Sequence, residues 1–236
     1  MHLTFQLNRI EGKDPPYDHN FLLGSALYRK LQEASEEAAT AAHDSPYRSP
    51  YVLSEIHRVR GKPREAWFRM GTTHESLVRA IGKALAPGTN VQVGPTLFQV
   101  TGILMEEPVA RPGEYVTLSP ILLRDEENGQ SIVHDTPGTD YKQILEDAVN
   151  TQVKNYLKKE GTVKVIHFEP QAVRKRRIKD RTVLAQKGRM LLDGEEEQLR
   201  LLVNHGIGSS PALGFGMVVL NRAKAGLGVW KGDAND

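Results

Sequence analysis

The 236-residue sequence contains no cysteine. That excludes disulfides, thiolate-bound zinc and a cysteine nucleophile, and it fits a cytoplasmic protein. No apolar run approaches the roughly 18 residues that a membrane-spanning helix needs, so no membrane partner is expected. HExxH is absent, and none of the eight histidines pairs with another at the spacing of metal ligands on a helix face. Neither a metal site nor a cofactor is therefore expected. The opening MHLTFQLNRIEG alternates apolar and polar residues and soon meets charge, which reads as a strand rather than a signal peptide. An excess of charge of one sign is also missing: 31 Lys and Arg against 29 Asp and Glu leave a formal net charge of +2. The molecule is no polycation.

What is present is local. Composition is ordinary for a globular protein, with 39% hydrophobic and 25% charged residues. Six cations fall within nine residues: Arg174, Lys175, Arg176, Arg177, Lys179 and Arg181. Acids gather at Glu195, Glu196 and Glu197. A basic segment between two strands is suited to following a phosphate backbone, although a solvated hairpin tip is the plainer reading. Arg58, Arg60, Lys62 and Arg64 make a second, looser cluster.

Periodicity places the elements. Leu3, Phe5 and Leu7 alternate, giving a half-buried strand over residues 3–7. Leu23, Leu27 and Leu31 share one face of a helix expected from Asn20 through the Glu/Ala-rich stretch toward His43. Strands are expected at 51–59 and 65–70. Thr72 and Glu75 read as a capping box, opening a helix with Leu77, Ile81 and Leu85 on one side. Strands follow at 91–93 and 97–105. The second half repeats the order: a strand at 115–123, a helix at 141–157, strands at 163–168 and 182–192, a short helix capped by Asp193 and Glu196, and a strand over 214–220. Along the second of these strands His167 shares a face with Val163 and Val165, so its burial is expected. The tail from 221 to 236 reads as loose.

Each half is a βαββαβ pattern. The expected fold class is α+β, with two tandem ferredoxin-like domains over residues 1–110 and 111–236 and a seam at Ala110-Arg111-Pro112-Gly113. Such a fold hosts many functions, so sites must decide.

One segment stands out, Gly206-Ile207-Gly208-Ser209-Ser210-Pro211-Ala212-Leu213-Gly214-Phe215-Gly216, lying between a helix and the last strand. Its glycines allow positive φ, and successive backbone N–H groups can line a concave phosphate site. The plainer reading makes Gly206 a helix C-cap and lets Gly214 and Gly216 ease packing. A dinucleotide loop would follow a strand and open a helix, the reverse of this order.

With this segment the chain resembles the CRISPR repeat-processing endoribonucleases of the RAMP superfamily (repeat-associated mysterious proteins). The resemblance covers nearly the whole chain: LTFQL, NFLLGSALY, YVLS, YVTLSPI and the closing LGFGMVVL. In one respect it departs, because Ser209–Leu213 carries no Lys or Arg. The resemblance implies metal-independent cleavage of CRISPR precursor RNA, with a histidine just beyond the first helix as general acid, a tyrosine on that helix and a nearby lysine. On this chain these are His43, Tyr28 and, as the nearest cation, Arg48. Fifteen residues separate Tyr28 from His43, so the helix must end or turn for both to meet one phosphate. Histidine suits the proton work because its unperturbed pKa is near 6.5, and arginine binds phosphate in a bidentate fashion. Tyr28 as packing at a helix edge and His43 as a surface residue are the plainer readings. His57 is held in reserve, and His205, beside the glycine segment, is placed to touch RNA.

The resemblance also implies that Arg174, Lys175, Arg176, Arg177, Lys179 and Arg181, with Gly206, Gly208, Gly214 and Gly216, hold the repeat RNA. The partner is then CRISPR repeat RNA or the precursor transcript, with other effector subunits or a second copy of the chain left open. A non-catalytic RNA-holding subunit of the same superfamily is the competing expectation. A tandem domain that senses a small ligand is a remoter one.

Overall fold

The computed structural model describes residues 1–43, 50–125 and 127–221, with the backbone alone for 41–43. In the first half the strand β1 (His2–Glu11) buries Leu3, Phe5 and Leu7 as the alternation requires, and Phe5 stacks on Phe68 at 4.8 Å. After it come α1 (Asn20–Ala34), α2 (Glu36–His43), β2 (Tyr51–Leu53), β3 (His57–Val59), β4 (Lys62–Thr72), α3 (Glu75–Ala84), β5 (Asn90–Val93) and β6 (Thr96–Glu106). Their sheet runs β2-β4-β1-β6-β5, with β3 also on β4.

The second half holds β7 (Gly113–Thr117), a small ladder of β8 (Leu123–Arg124) with β9 (Ser131–Ile132), α4 (Tyr141–Leu157), β10 (Lys164–Ile178), β11 (Arg181–Asp193), α5 (Glu196–His205), a 3-10 turn at Pro211–Leu213 and β12 (Val218–Leu220). Its sheet runs β10-β11-β7-β12. In the first sheet β1 and β4 lie inside, with β2 and β3 beyond β4 and β6 then β5 beyond β1; in the second β7 and β11 lie inside, with β12 and β10 at the edges. That is the ferredoxin-like order, twice.

Several local expectations are corrected. The helix expected to continue to His43 breaks at Ser35, whose backbone is extended (φ −165°, ψ 105°) and whose Oγ accepts a hydrogen bond from the Ala38 amide at 3.2 Å. Two helices result, and the chain turns between Tyr28 and His43. No Thr72–Glu75 capping box forms. Thr72 is still a strand residue, its hydroxyl donating to the Pro50 carbonyl at 2.7 Å, and His74 is the N-cap. Nor does Asp193 cap the fifth helix, because Glu195 occupies that position and Asp193 ends β11. His167 is exposed, because a register shift between Val165 and His167 turns it out of the Val163 and Val165 face. The strand expected over 115–123 stops at Thr117.

Each half has its own apolar core. One spans residues 3–100, with Ala212 of the second half packed against it. The other gathers Tyr115, Leu145, Val149, Leu199 and Ile207. The halves are joined directly: Ser119 Oγ donates to the Leu53 carbonyl at 3.1 Å, and His2 Nε2 donates to the Val203 carbonyl at 2.9 Å. Fixed contacts of this kind set the site at the junction. No helix among the described residues is long and apolar enough to cross a membrane.

Candidate functional site

The glycine-rich segment crosses from the second half onto the first. Its 3-10 turn at Pro211–Leu213 packs against α1 and β2. The approach is close at Gly24, where a Cβ would lie 2.7 Å from the Ala212 carbonyl oxygen, so the helix is glycine where the turn crosses it. Tyr28 stands one helical turn beyond Gly24 on the same helix face, half-buried against the first core. Tyr51, the first residue of β2, is buried, and burial first and then Tyr28 push its hydroxyl up to about 12. Two tyrosines of the first half and a turn of the second therefore converge. His43 closes α2 and its side chain lies outside what is described; Arg48 lies outside the described residues.

The four glycines do not form an open phosphate cradle. Gly206, Gly208, Gly214 and Gly216 are buried, all with φ between 75° and 85°. Their segment is sewn inward: Gly206 N–H donates to Leu202 O, Ile207 N–H to Gly216 O, Ser209 N–H to Leu122 O, and Gly216 N–H to Pro120 O. A side chain at Gly216 would overlap the Ile207 carbonyl. Glycine is required here for left-handed backbone at close approach, and the amides serve the fold. Ser209, Ser210, Ala212 and Leu213 are the half-buried part of the segment.

The basic segment is likewise more structured than expected. Residues 174–178 are strand, and β10 and β11 continue to a two-residue turn at Lys179-Asp180. Alternation then sends neighbouring cations to opposite faces. Lys175, Arg177, Lys179 and Arg181 are exposed, and Arg174 is half-buried. Arg176 is buried, at 3% exposure, and is not available to RNA phosphates. Its guanidinium donates to the Glu55 carboxylate, and its Nε donates to Asn20 Oδ1 at 3.1 Å. Lys187 Nζ donates to the other Glu55 oxygen at 3.0 Å, while Asn20 Nδ2 donates to the Gly214 carbonyl.

Burial alone would raise the Glu55 carboxyl, but Lys187 and Arg176 reverse it and hold it at about 2. The carboxylate is thus a fixed anion between two cations. Above the cluster Tyr17 lays its ring 4.2 Å from the Arg176 guanidinium carbon and 5.7 Å from that of Arg174.

The histidines sort cleanly. His57 is buried and stacked on Trp67 at 4.2 Å; burial, then Lys187, brings it down to about 4. It is shut away from substrate, which removes it as a reserve acid. His205 is buried as well, 2.8 Å from Thr73 Oγ1 and tilted against Tyr156, so the expectation that it touches RNA is also overturned. In the looser cluster Arg58 pairs with Asp14 and Lys62 with Glu65 at the surface. Among the described residues no three His, Asp or Glu side chains converge to hold a metal ion.

Residues 105–220 match the family described as CRISPR associated protein Cas6, C-terminal. Over these residues the chain is similar to the Cas6 family. Solved structures agree on the fold. A CRISPR-associated protein Cas6 superposes with a TM-score of 0.74 at 18% identity, covering 94% of this chain and 99% of that one. A structure titled as a RAMP protein binding different RNA substrates gives 0.71 at 20% identity, with the same coverage. A Cas6-related protein from Pyrococcus furiosus gives 0.71 at 18% identity, covering 92% and 97%. No curated protein matches. Against this Cas6 fold, sequence reading missed Tyr51, Glu55, Asn20 and Tyr17. Asn20 stands first in the quoted NFLLGSALY, and Glu55 follows directly on YVLS. The acid directly after that strand is the one trace of the pair in the sequence, and Arg176 was read instead as an RNA contact.

Proposed function

We propose that this chain is an endoribonuclease that binds CRISPR repeat RNA and cuts the precursor transcript without a metal ion. The observation that carries the reading is the convergence of Tyr28, Tyr51 and the 3-10 turn at Pro211–Leu213 where the two halves meet, in a chain whose second half is similar to the Cas6 family. RNA then lies along the exposed cations Lys175, Arg177, Lys179 and Arg181 and crosses the junction toward α2. One structural relative is titled for its binding of different RNA substrates, and another as a product complex.

The chemistry is an in-line displacement. The 2′-oxygen attacks the adjacent phosphorus, the bond from phosphorus to the 5′-oxygen breaks, and the products are a 2′,3′-cyclic phosphate and a 5′-hydroxyl. His43, as imidazolium, gives its proton to the departing 5′-oxygen. Tyr28 positions the 2′-hydroxyl, whose proton passes to solvent water as its oxygen attacks. The Tyr51 hydroxyl, held at about 12, stays protonated and donates rather than accepts. Arg48 supplies the cation for the charged transition state.

The test is cleavage of a labelled repeat RNA in EDTA, with product ends characterised. Cutting persists in EDTA, stops when the nucleotide before the cut is 2′-deoxy, and stops in His43→Ala with RNA binding retained. Undiminished cutting by His43→Ala overturns the assignment. Stable binding by the wild type with no product favours the non-catalytic RNA-holding role, in keeping with the missing cation in Ser209–Leu213.

A further inference from the structure

Among the described residues Tyr17 is the one Phe, Tyr or Trp side chain that stands exposed, at 60%. It lies in the connection between β1 and α1, and nothing in the fold's apolar cores requires it there. Its support is unusual. The guanidinium beneath it is itself buried and cannot swing away, because Glu55 and Asn20 hold it. With Arg176 against one side of the ring, the exposed area belongs to the other side. The ring is therefore pre-organised, one face on a fixed cation and one face to solvent. Arg174, half-buried, brings a second guanidinium to within 5.7 Å of the centre of the same ring.

An exposed ring over a fixed cation does two things for a nucleic acid strand. Its open face accepts an unpaired base, an interaction worth ~1–3 kcal/mol per base that tolerates any base because all have a π face. A neighbouring arginine offers its forked donors to the adjoining phosphate. Covering the Arg176–Glu55 pair would be served as well by any apolar side chain; what a ring adds is the second face.

We propose that Tyr17 is a stacking platform for one unpaired nucleotide of the bound RNA, with Arg174 taking the phosphate beside it. This rests on the RNA-binding reading above and adds to it a subsite on the first half, away from the bond to be cut. It makes the bound RNA single-stranded where it passes the β1–α1 connection.

The probes are short oligouridine, and a strand of the same length with the bases removed, each end-labelled for fluorescence anisotropy over a salt series. Tyr17→Leu keeps an apolar cover over Arg176 and removes the ring. It is expected to bind oligouridine roughly tenfold more weakly, with an unchanged salt slope and a thermal midpoint equal to wild type. Tyr17→Trp restores the affinity. On the abasic strand Tyr17→Leu and wild type are equal. Arg174→Ala behaves differently, lowering the salt slope by about one counterion. Oligouridine binding by Tyr17→Leu at wild-type strength, or an equal loss on the abasic strand, would overturn the platform while leaving RNA binding in place. Failure of the wild type to bind oligouridine would overturn it too, and the EDTA and 2′-deoxy assay would then decide the cleavage reading by itself.

Discussion

The buried guanidinium of Arg176 donates to the carboxylate of Glu55, 121 positions away, and so ties the inward face of the β10–β11 hairpin to the first half. A cation in the middle of a basic run is thereby part of the fold. Removing either partner leaves the other charged and desolvated, a change that costs ~3–5 kcal/mol in buried pairs. Arg176→Ala and Glu55→Ala are each expected to lower the unfolding free energy by that order in urea titrations. Lys175→Ala and Arg177→Ala, exposed neighbours on the same strand, stay within about 0.5 kcal/mol of wild type. Equal effects at buried and exposed positions would contradict the alternation.

The same sorting makes a prediction for RNA. Lys175, Arg177, Lys179 and Arg181 face solvent, and on the proposed reading they would meet the RNA phosphates. Each alanine variant is expected to weaken repeat RNA binding and to reduce the slope of log affinity against log salt by about one. Binding measured over a salt series checks this, and an unchanged slope in all four variants would remove the hairpin from the interface.

Glycines in this chain are required for two separable reasons, and two positions isolate them. Gly61 and Gly216 have nearly equal φ, 76° and 75°. At Gly61 a Cβ meets nothing within 4 Å, whereas at Gly216 it overlaps the Ile207 carbonyl. Gly61→Ala is expected to cost only the ~1–2 kcal/mol of left-handed backbone. Gly216→Ala adds displacement of the Ile207–Gly216 connection and costs several-fold more, or abolishes folding. Similar unfolding midpoints for the two variants would sink the distinction.

Acid should loosen the junction in two windows. His57 is held neutral, down from 6.5 to about 4, by burial first and Lys187 second. Between those values the unfolded chain takes up a proton that the folded chain refuses, so stability falls as pH drops through the window. His19, also lowered by burial, contributes with the same sign. Glu55, down from 4.5 to about 2, contributes stability that is present above 4.5 and lost as pH falls toward 2. His57→Phe keeps a ring against Trp67 and removes the first His57 contribution. The loss of stability between pH 7 and pH 5 is then expected to shrink by about 2 kcal/mol, read from urea midpoints at the two pH values.

Where a rule of spacing met no competing contact, the sequence was legible. The helix Tyr141–Leu157 falls on the residues its pattern indicates, and Leu3, Phe5 and Leu7 alternate into the core as written. The doubled βαββαβ order was legible for the same reason. Misreadings arose where tertiary contacts overrode local pattern. Thr72 looked like a cap but donates to Pro50 across a strand pair, and a single register shift turned His167 outward. Runs of like residues hid opposite fates: Arg176 and Arg177 are adjacent in sequence, and one is interior while the other is wet. The glycine segment was recognisable as special without its purpose being recognisable. Its spacing records left-handed turns and tight crossings, and only coordinates reveal where its amides point. Tyr28 was singled out by the family resemblance alone, whereas Glu55, in an unpatterned connection, gave no periodic signal.

That crossing has a consequence for biogenesis. Ala212 packs into the first half's core, and Asn20 is satisfied by Gly214, so α1 finds its last partners near the final strand. A ribosome emitting this polypeptide in order leaves the leading lobe with an uncovered flank until nearly all of the described chain has emerged. Contacts of such long sequence separation also slow the closing step of folding. Splitting the chain near residue 110 to obtain two autonomous modules would orphan that flank, so the lobes are better expressed together than apart.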